Sequence, residues 1–289
     1  MKIGIVTCKK CPNLTASEQS LIPLFLESGA SASPVVWNDP RVVWEEFSLL
    51  LIRSIWDYHL YPEEFNLWLT MLENARVRTL NPIGILKANH HKFYLRQLER
   101  QGVRILPSLF IEKGNAFNLS KIKMVGWQRA VIKPAISASA YQTRVFDLSE
   151  LTDVENDYRV FAMSHDLLVQ EFTPAIQENG ELSIIFINQK YSHAVLKKPR
   201  QGEYRVQAEY GGHATAYQPH TKIILAAAKI LTYFDEETLY ARIDGIAKGD
   251  EFTLMEAELI EPDLFLDAHP DARTKLVEST LERCPTPKV

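Results

Sequence analysis

The segment YARIDGIAKGDEFTLMEAELIEP, residues 240–262, constrains the fold of this chain more than any other. Apolar residues recur along it as in partly buried strands, and Lys248, Gly249 and Asp250 supply turn chemistry between two such runs. Yet Asp244, Glu256, Glu258 and Glu261 lie inside them. Charges in such places need partners. Glu256 and Glu258 are two residues apart, so a strand puts both carboxylates on one face, and Asp244 on the preceding strand can stand opposite them. Three acids that close repel one another and hold raised pKa values unless a cation sits among them. Oxygen-only ligands of this kind suit Mg²⁺. The alternative is a solvated strand face with ordinary salt bridges.

The first third alternates strand and helix. KIGIVT reads as an apolar strand, residues 18–29 as a helix ending in glycine, SPVVW and FSLLLIRS as strands, and residues 62–74 as an amphipathic helix opened by proline. This order predicts a parallel sheet with helices on its faces, a Rossmann-like α/β unit over residues 1–85. No G-x-G-x-x-G follows the first strand, which argues against a dinucleotide site. Beyond it the pattern predicts a helix over 88–101, strands RAVIKP and QTRVFDL around the small-residue loop AISASAY, a helix over 151–164 and the strand DLLVQEF. ELSIIFIN and KYSHAVLKKP read as a hairpin turning at Asn188-Gln189, followed by a helix over 219–234 with one apolar face. The expected organisation is α/β, with α+β lobes over residues 86–172 and 173–289 and a frayed tail after Pro285.

A net charge of −4 and the lack of a long Lys/Arg run set nucleic acid aside. No apolar run approaches the roughly 20 residues that span a bilayer, and MKIGIVT is too short for a signal-peptide core, so a cytoplasmic protein without membrane contact is expected. Cys8 and Cys11 form a C-x-x-C without a second pair, and His90-His91 lacks metal-ligand spacing.

A second chemical element is VIKP. Lys133 ends an apolar strand, where a lone ammonium is costly unless it meets an anion such as phosphate. The loop after it offers backbone N–H groups and hydroxyls to phosphate oxygens. A lysine-bearing helix, strand-Lys-Pro, small-residue loop, VQEF, NGELS, KKPRQGEYR, YGG, RIDGI and MEAELIEP follow one another in an order that resembles the ATP-grasp superfamily, most closely its glutathione synthetase-like branch. The resemblance covers about residues 85–270 and implies an ATP-grasp fold preceded by a pre-ATP-grasp domain.

That resemblance implies an ATP- and Mg²⁺-dependent carboxylate–amine ligase that phosphorylates a carboxylate before an amine attacks it. Lys92, Lys133 and Ser137 would contact the nucleotide phosphates, Gln170, Glu171 and Phe172 the adenine, and Glu181 the ribose. Asp244, Glu256 and Glu258 would be the magnesium ligands, and Arg205 the residue that stabilises the transferred phosphoryl group, with Lys197 or Lys198 adding charge beside it. Glu256→Gln is expected to stop ADP formation and leave the fold nearly intact. Glu258 stands where glutathione synthetases carry asparagine, Ser183 where arginine is frequent, and Ser137, Ala138, Ser139 and Ala140 replace the glycines of the closing loop. The partners implied are small-molecule carboxylate and amine substrates; a homo-oligomer is left open. Arg53, Asp57 and Tyr58, after a buried strand, are candidates for gripping an amino-acid-like or peptide-like substrate, with an Arg53–Asp57 ion pair as the alternative. The rival functions are a non-catalytic nucleotide-binding regulator and a dinucleotide-dependent oxidoreductase.

Overall fold

The computed structural model describes residues 1–115 and 117–284; the tail expected to fray after Pro285 lies outside them. The N-terminal sheet is built from β1 (Lys2–Thr7), β2 (Ser31–Val36), β3 (Leu49–Ser54) and β4 (Thr79–Leu80), in the order β2-β1-β3-β4 and parallel throughout. Every residue of β3 is buried, as befits a central parallel strand. Between β1 and β2 the expected single helix is two, α1 (Ala16–Gln19) and α2 (Leu21–Glu27). Thr15 and Glu18 form a reciprocal capping box that opens α1 early, and Pro23, lacking an N–H, begins a new first turn instead of extending the old one. Gly29, at φ +78, ends α2 while Ala30 N–H donates to Phe25 O. α3 (Pro62–Asn74) spans the predicted bounds and buries Phe65, Trp68, Leu69 and Leu72.

The helix expected over 88–101 is also broken, into α4 (Ile83–Asn89) and α5 (Tyr94–Arg100). Asn89 causes the break. Its buried amide donates to Ala257 O at 2.8 Å and accepts from Leu259 N at 2.9 Å, which ties the end of α4 to a neighbouring strand. Lys92 falls in the gap, off the helix. A second, antiparallel sheet follows, from β5 (Ser108–Ile111), α6 (Lys121–Met124), β6 (Arg129–Pro134), β7 (Arg144–Asp147), α7 (Leu151–Arg159) and β8 (Leu167–Glu171), ordered β5-β8-β6-β7. α7 stops five residues short of its expected end and gives way to a 3₁₀ turn at Phe161–Met163.

The third sheet, β11-β10-β9-β12-β13, comprises β9 (Glu181–Ile187), β10 (Lys190–Lys198), β11 (His213–Tyr217), β12 (Tyr240–Lys248) and β13 (Glu251–Glu258), and is accompanied by α8 (Ala175–Asn179), α9 (Thr221–Leu231) and α10 (Ala272–Glu282). Asn188 and Gln189, at φ 51 and 64, form the expected two-residue turn between β9 and β10. In the other hairpin Asp244 pairs with Glu256 and Arg242 with Glu258, while on its far side β12 sets Asp244 against Ser183. No helix among the described residues is long and apolar enough to cross a membrane.

One residue stitches the N-terminal sheet to this hairpin. Asn81, fully buried just beyond β4, donates to Tyr240 O and Leu259 O at 2.8 and 2.7 Å and accepts from Leu239 N at 2.6 Å. Tyr240 adds its hydroxyl, which lies at 2.9 Å from Ile260 O. Replacing Asn81 by alanine strands several buried backbone groups and is expected to cost about 3 kcal/mol in urea unfolding. A loss below about 1 kcal/mol would show the stitch to be dispensable.

Candidate functional site

A cleft of about 450 Å³ opens between β6, β8 and the loop after β6 on one side and the β12–β13 hairpin on the other. Strand alternation delivers its charges. Arg242 and Asp244 share one face of β12, Glu256 and Glu258 one face of β13, and Glu181 and Lys197 are direct neighbours across β9 and β10. All six line the cleft, with Lys92, Lys133 and Glu261.

The acids converge as the sequence predicts, but the cations among them belong to the protein. Asp244 accepts from Arg242 Nε and Nη2 at 3.1 and 3.0 Å, from the Ser183 hydroxyl at 2.5 Å, and lies 3.3 Å from Lys197 Nζ. The same guanidinium donates to Glu258. Lys197 also holds Glu181 at 2.5 Å, and Lys92 meets Glu256 at 2.5 Å while donating to Ser137 O at 2.9 Å. Among the described residues, no group of three His, Cys, Asp or Glu is arranged to hold a metal ion. Arg242 is a site residue that was not among those expected from the sequence. Its signal was present, since it stands two residues before Asp244 and must share that face.

The pKa shifts follow from this wiring. Burial pushes the Asp244 carboxyl up, but Arg242 and Lys197 override it and hold it at about 2. Glu258 is pushed up to about 7 by burial, Arg242 opposing and Asp244 and Glu256 adding to the rise. Glu261, buried beside Glu258, rises to about 8. For Lys92, burial lowers the pKa and the Glu256 carboxylate more than restores it. Lys133 is lowered by burial and makes no ion pair among the described residues. It is the cation in the cleft with charge to spare.

The other candidates divide. Gln170, Glu171 and Phe172, at the end of β8, line the cleft, but Glu171 and Phe172 spend their N–H groups on Pro107 O and Arg129 O, both at 3.0 Å, and Gln170 donates to the Ser108 hydroxyl. Ser137 also lines it, with its hydroxyl donated to Pro134 O at 3.0 Å. Ser139 and Ala140 take the left-handed backbone, φ 48 and 54, that glycine adopts more cheaply. Arg205 reaches the cleft with its guanidinium forked onto Glu203, at 2.7 Å from Oε2, and lying 3.7 Å from the Tyr210 ring centroid. Of the two lysines ending β10, Lys197 faces the cleft and Lys198 is exposed on the opposite side, because neighbours on a strand point to opposite faces. Of the two alternatives the structure brings Lys197 to the cleft, and Lys198 is set aside.

The substrate candidates are also revised. Asp57 is buried and accepts from Trp37 Nε1 at 2.7 Å, a structural bond in the N-terminal core. Tyr58 borders the cleft but packs its ring 4.8 Å from that of Phe65. Arg53 is ion-paired with Glu18, not Asp57. Cys8 and Cys11 are free thiols.

The wiring reverses the stability expected for Glu256→Gln. The variant leaves Lys92 buried without its carboxylate and near Lys133, so a loss of about 1–3 kcal/mol is expected; urea unfolding at wild-type stability would contradict the pairing. The raised acids also set a pH dependence. Below about 4.5 Glu261 is neutral in both states, and as pH rises the unfolded chain releases its proton first, so the folded state loses stability through about pH 8. Glu261→Gln should flatten that decline in melts of the ligand-free protein between pH 5 and 8; an unchanged slope would exclude Glu261 as its source.

The profile of the D-cycloserine synthetase DcsG N-terminal domain family matches residues 3–81. The cycloserine biosynthesis protein DcsG of Streptomyces lavendulae is 22% identical over 279 residues, covering 91% of this chain and 93% of that protein. The crystal structure of D-cycloserine synthetase DcsG superposes with a TM-score of 0.88 at 20% identity, over 99% of this chain and all of that one. D-alanine–D-alanine ligase of Bacillus anthracis, complexed with ATP, gives 0.70 at 14% identity over 98% and 96%, and a RimK-domain ATP-grasp protein of Sphaerobacter thermophilus 0.71 at 14% over 97% and 100%. Fold is shared along the whole chain, while few residues are.

Proposed function

We propose that this chain, which has the ATP-grasp fold, is an ATP- and Mg²⁺-dependent carbon–nitrogen ligase that activates a carboxylate as an acyl phosphate and passes it to an amine. The observation that carries this is the pairing, in one cleft, of the uncommitted Lys133 with the layer of carboxylates and cations on β9, β10, β12 and β13. Lys133 and Lys92 would receive the nucleotide phosphates, the end of β8 the adenine, and Glu181 the ribose. Glu256 and Glu258, whose side chains are partly exposed in the cleft, and Asp244, fixed by Arg242 and Ser183, would hold Mg²⁺ when the nucleotide's phosphates draw off the lysine and arginine that pair with them in this structure. When bound there, Mg²⁺ neutralises charge on the phosphates.

The protein's own groups would do the rest. Arg242 and Lys197 place fixed positive charge beside the transferred phosphoryl group, in a site too buried for water to screen it well. Arg205 would join them by releasing Glu203, which it now holds at a pKa of about 2. DcsG, matched both by sequence and by structure, is named for cycloserine and another neighbour for joining D-alanine to D-alanine, which supports a small amino-acid-like substrate.

The test is ADP release from Mg-ATP against D- and L-amino acids and dipeptides, singly and in pairs. Release that requires a particular carboxylate and amine is expected. A raised melting temperature with Mg-ATP but no release would instead favour a nucleotide-binding regulator. Lys133→Met should weaken Mg-ATP binding by calorimetry at least tenfold, about 1.4 kcal/mol; unchanged affinity would remove Lys133 from the phosphate site.

A further inference from the structure

The C-x-x-C of the sequence is not used by the cleft, since neither Cys8 nor Cys11 lines it. The chain leaves β1 through a turn in which Cys11 N–H donates to Cys8 O at 3.0 Å. Such a turn holds its first and fourth Cα atoms within about 7 Å, and a disulfide spans Cα atoms about 4.4–6.8 Å apart. The side chains also lie together. Cys8 is fully buried in the apolar cluster of Val6, Trp37 and Ile52, and the half-buried Cys11 packs against the same cluster. Hydrogen bonds then fix the turn in place. Thr7 donates its hydroxyl to Cys11 O at 2.6 Å, Leu14 N–H donates to the same oxygen at 2.9 Å, and Ser54 on β3 donates to the Thr7 hydroxyl oxygen at 3.0 Å. Both thiols are free.

We infer that Cys8 and Cys11 are a disulfide-forming pair, oxidised by an anionic small-molecule disulfide such as oxidised glutathione, and that their bridge staples the turn between β1 and α1. The inference is independent of the ligase reading. Cys11 is the sulfur a reagent reaches, and Cys8, buried behind it, resolves the intermediate. The Cys11 thiolate attacks one sulfur of the reagent and releases the other half as a thiolate; the Cys8 thiolate then attacks the Cys11 sulfur and releases the second half. Two protein thiols give up two protons and two electrons, and one small disulfide becomes two thiols. Lys9 and Lys10, exposed between the cysteines, draw an anionic reagent to the turn. Metal binding is the competing use of paired thiols, but among the described residues no group of three His, Cys, Asp or Glu is arranged to hold an ion. Burial, then the Glu18 carboxylate and the Cys8 thiol, push the Cys11 thiol up, so its thiolate is scarce and the pair oxidises slowly. A destabilised thiolate also favours the bridge at equilibrium, the reverse of an oxidising C-x-x-C whose reduced form is stabilised.

The experiment equilibrates the full chain with oxidised glutathione at mildly alkaline pH and follows free thiols, intact mass and melting temperature. The wild type should fall from three free thiols to one, lose two hydrogens without gaining an adduct, and yield a peptide linking Cys8 to Cys11. Dithiothreitol should restore all three thiols. Cys284→Ser should fall from two free thiols to none. Cys8→Ser should keep the glutathione half on Cys11, because no second thiol is there to release it. The bridged wild type should melt a few degrees higher than the reduced protein, as a cross-link that fits the native turn does. Three persisting thiols, an adduct on wild-type Cys11 that does not resolve, a link to Cys284 or between chains, or a lowered melting temperature would each overturn the assignment.

Discussion

The guanidinium of Arg242 bridges Asp244 and Glu258, and the rest of the cleft is arranged around that contact. Two neighbouring strands carry acids on a shared face, and without a cation that face could not be buried. Arg242 solves this within the hairpin itself, because the register that opposes Asp244 to Glu256 also opposes Arg242 to Glu258. Lys197 and Lys92 extend the solution outward to Glu181 and Glu256. The site is therefore preorganised before any ligand arrives. Lys92 lies in the gap between α4 and α5, where Glu256 and the Ser137 carbonyl offset the burial of its ammonium.

The same hairpin is where the N-terminal sheet docks. Asn81, Tyr240 and Arg53 all spend buried hydrogen bonds on the backbone of residues 239–262. Those bonds bring the carboxyl end of β3, with Trp56 and Tyr58, to the rim of the cleft, the end of a parallel sheet where ligands gather. A single set of contacts thus joins the N-terminal sheet to the cleft.

Much of this was legible in the chain. The strand-helix alternation, the turn at Asn188-Gln189, the span of α3 and the opposition of Asp244 to Glu256 follow from period, turn chemistry and spacing. What escaped depended on contacts between distant segments. Asn89 ends α4 by binding a strand 168 residues away, which no local pattern announces. Glu18 looked like an ordinary first-turn helix acid, and only the fold sets it beside Arg53, displacing Asp57 from the role assigned to it. Lys197 and Lys198 differed only in which face of β10 each occupied. Arg242 stands two residues before Asp244, so the strand period alone places its guanidinium on the acids' face.

The central claim is that the carboxylates of the hairpin are already neutralised by Arg242, Lys197 and Lys92 and become a metal site only together with a nucleotide. Calorimetric titration of Mg²⁺ into the full chain, alone and then with ADP present, tests it directly. The account predicts no measurable binding of Mg²⁺ alone at millimolar concentration and clear binding with ADP. Tight binding of Mg²⁺ to the nucleotide-free protein would mean that the acids are open to metal and that the internal cations do not hold them.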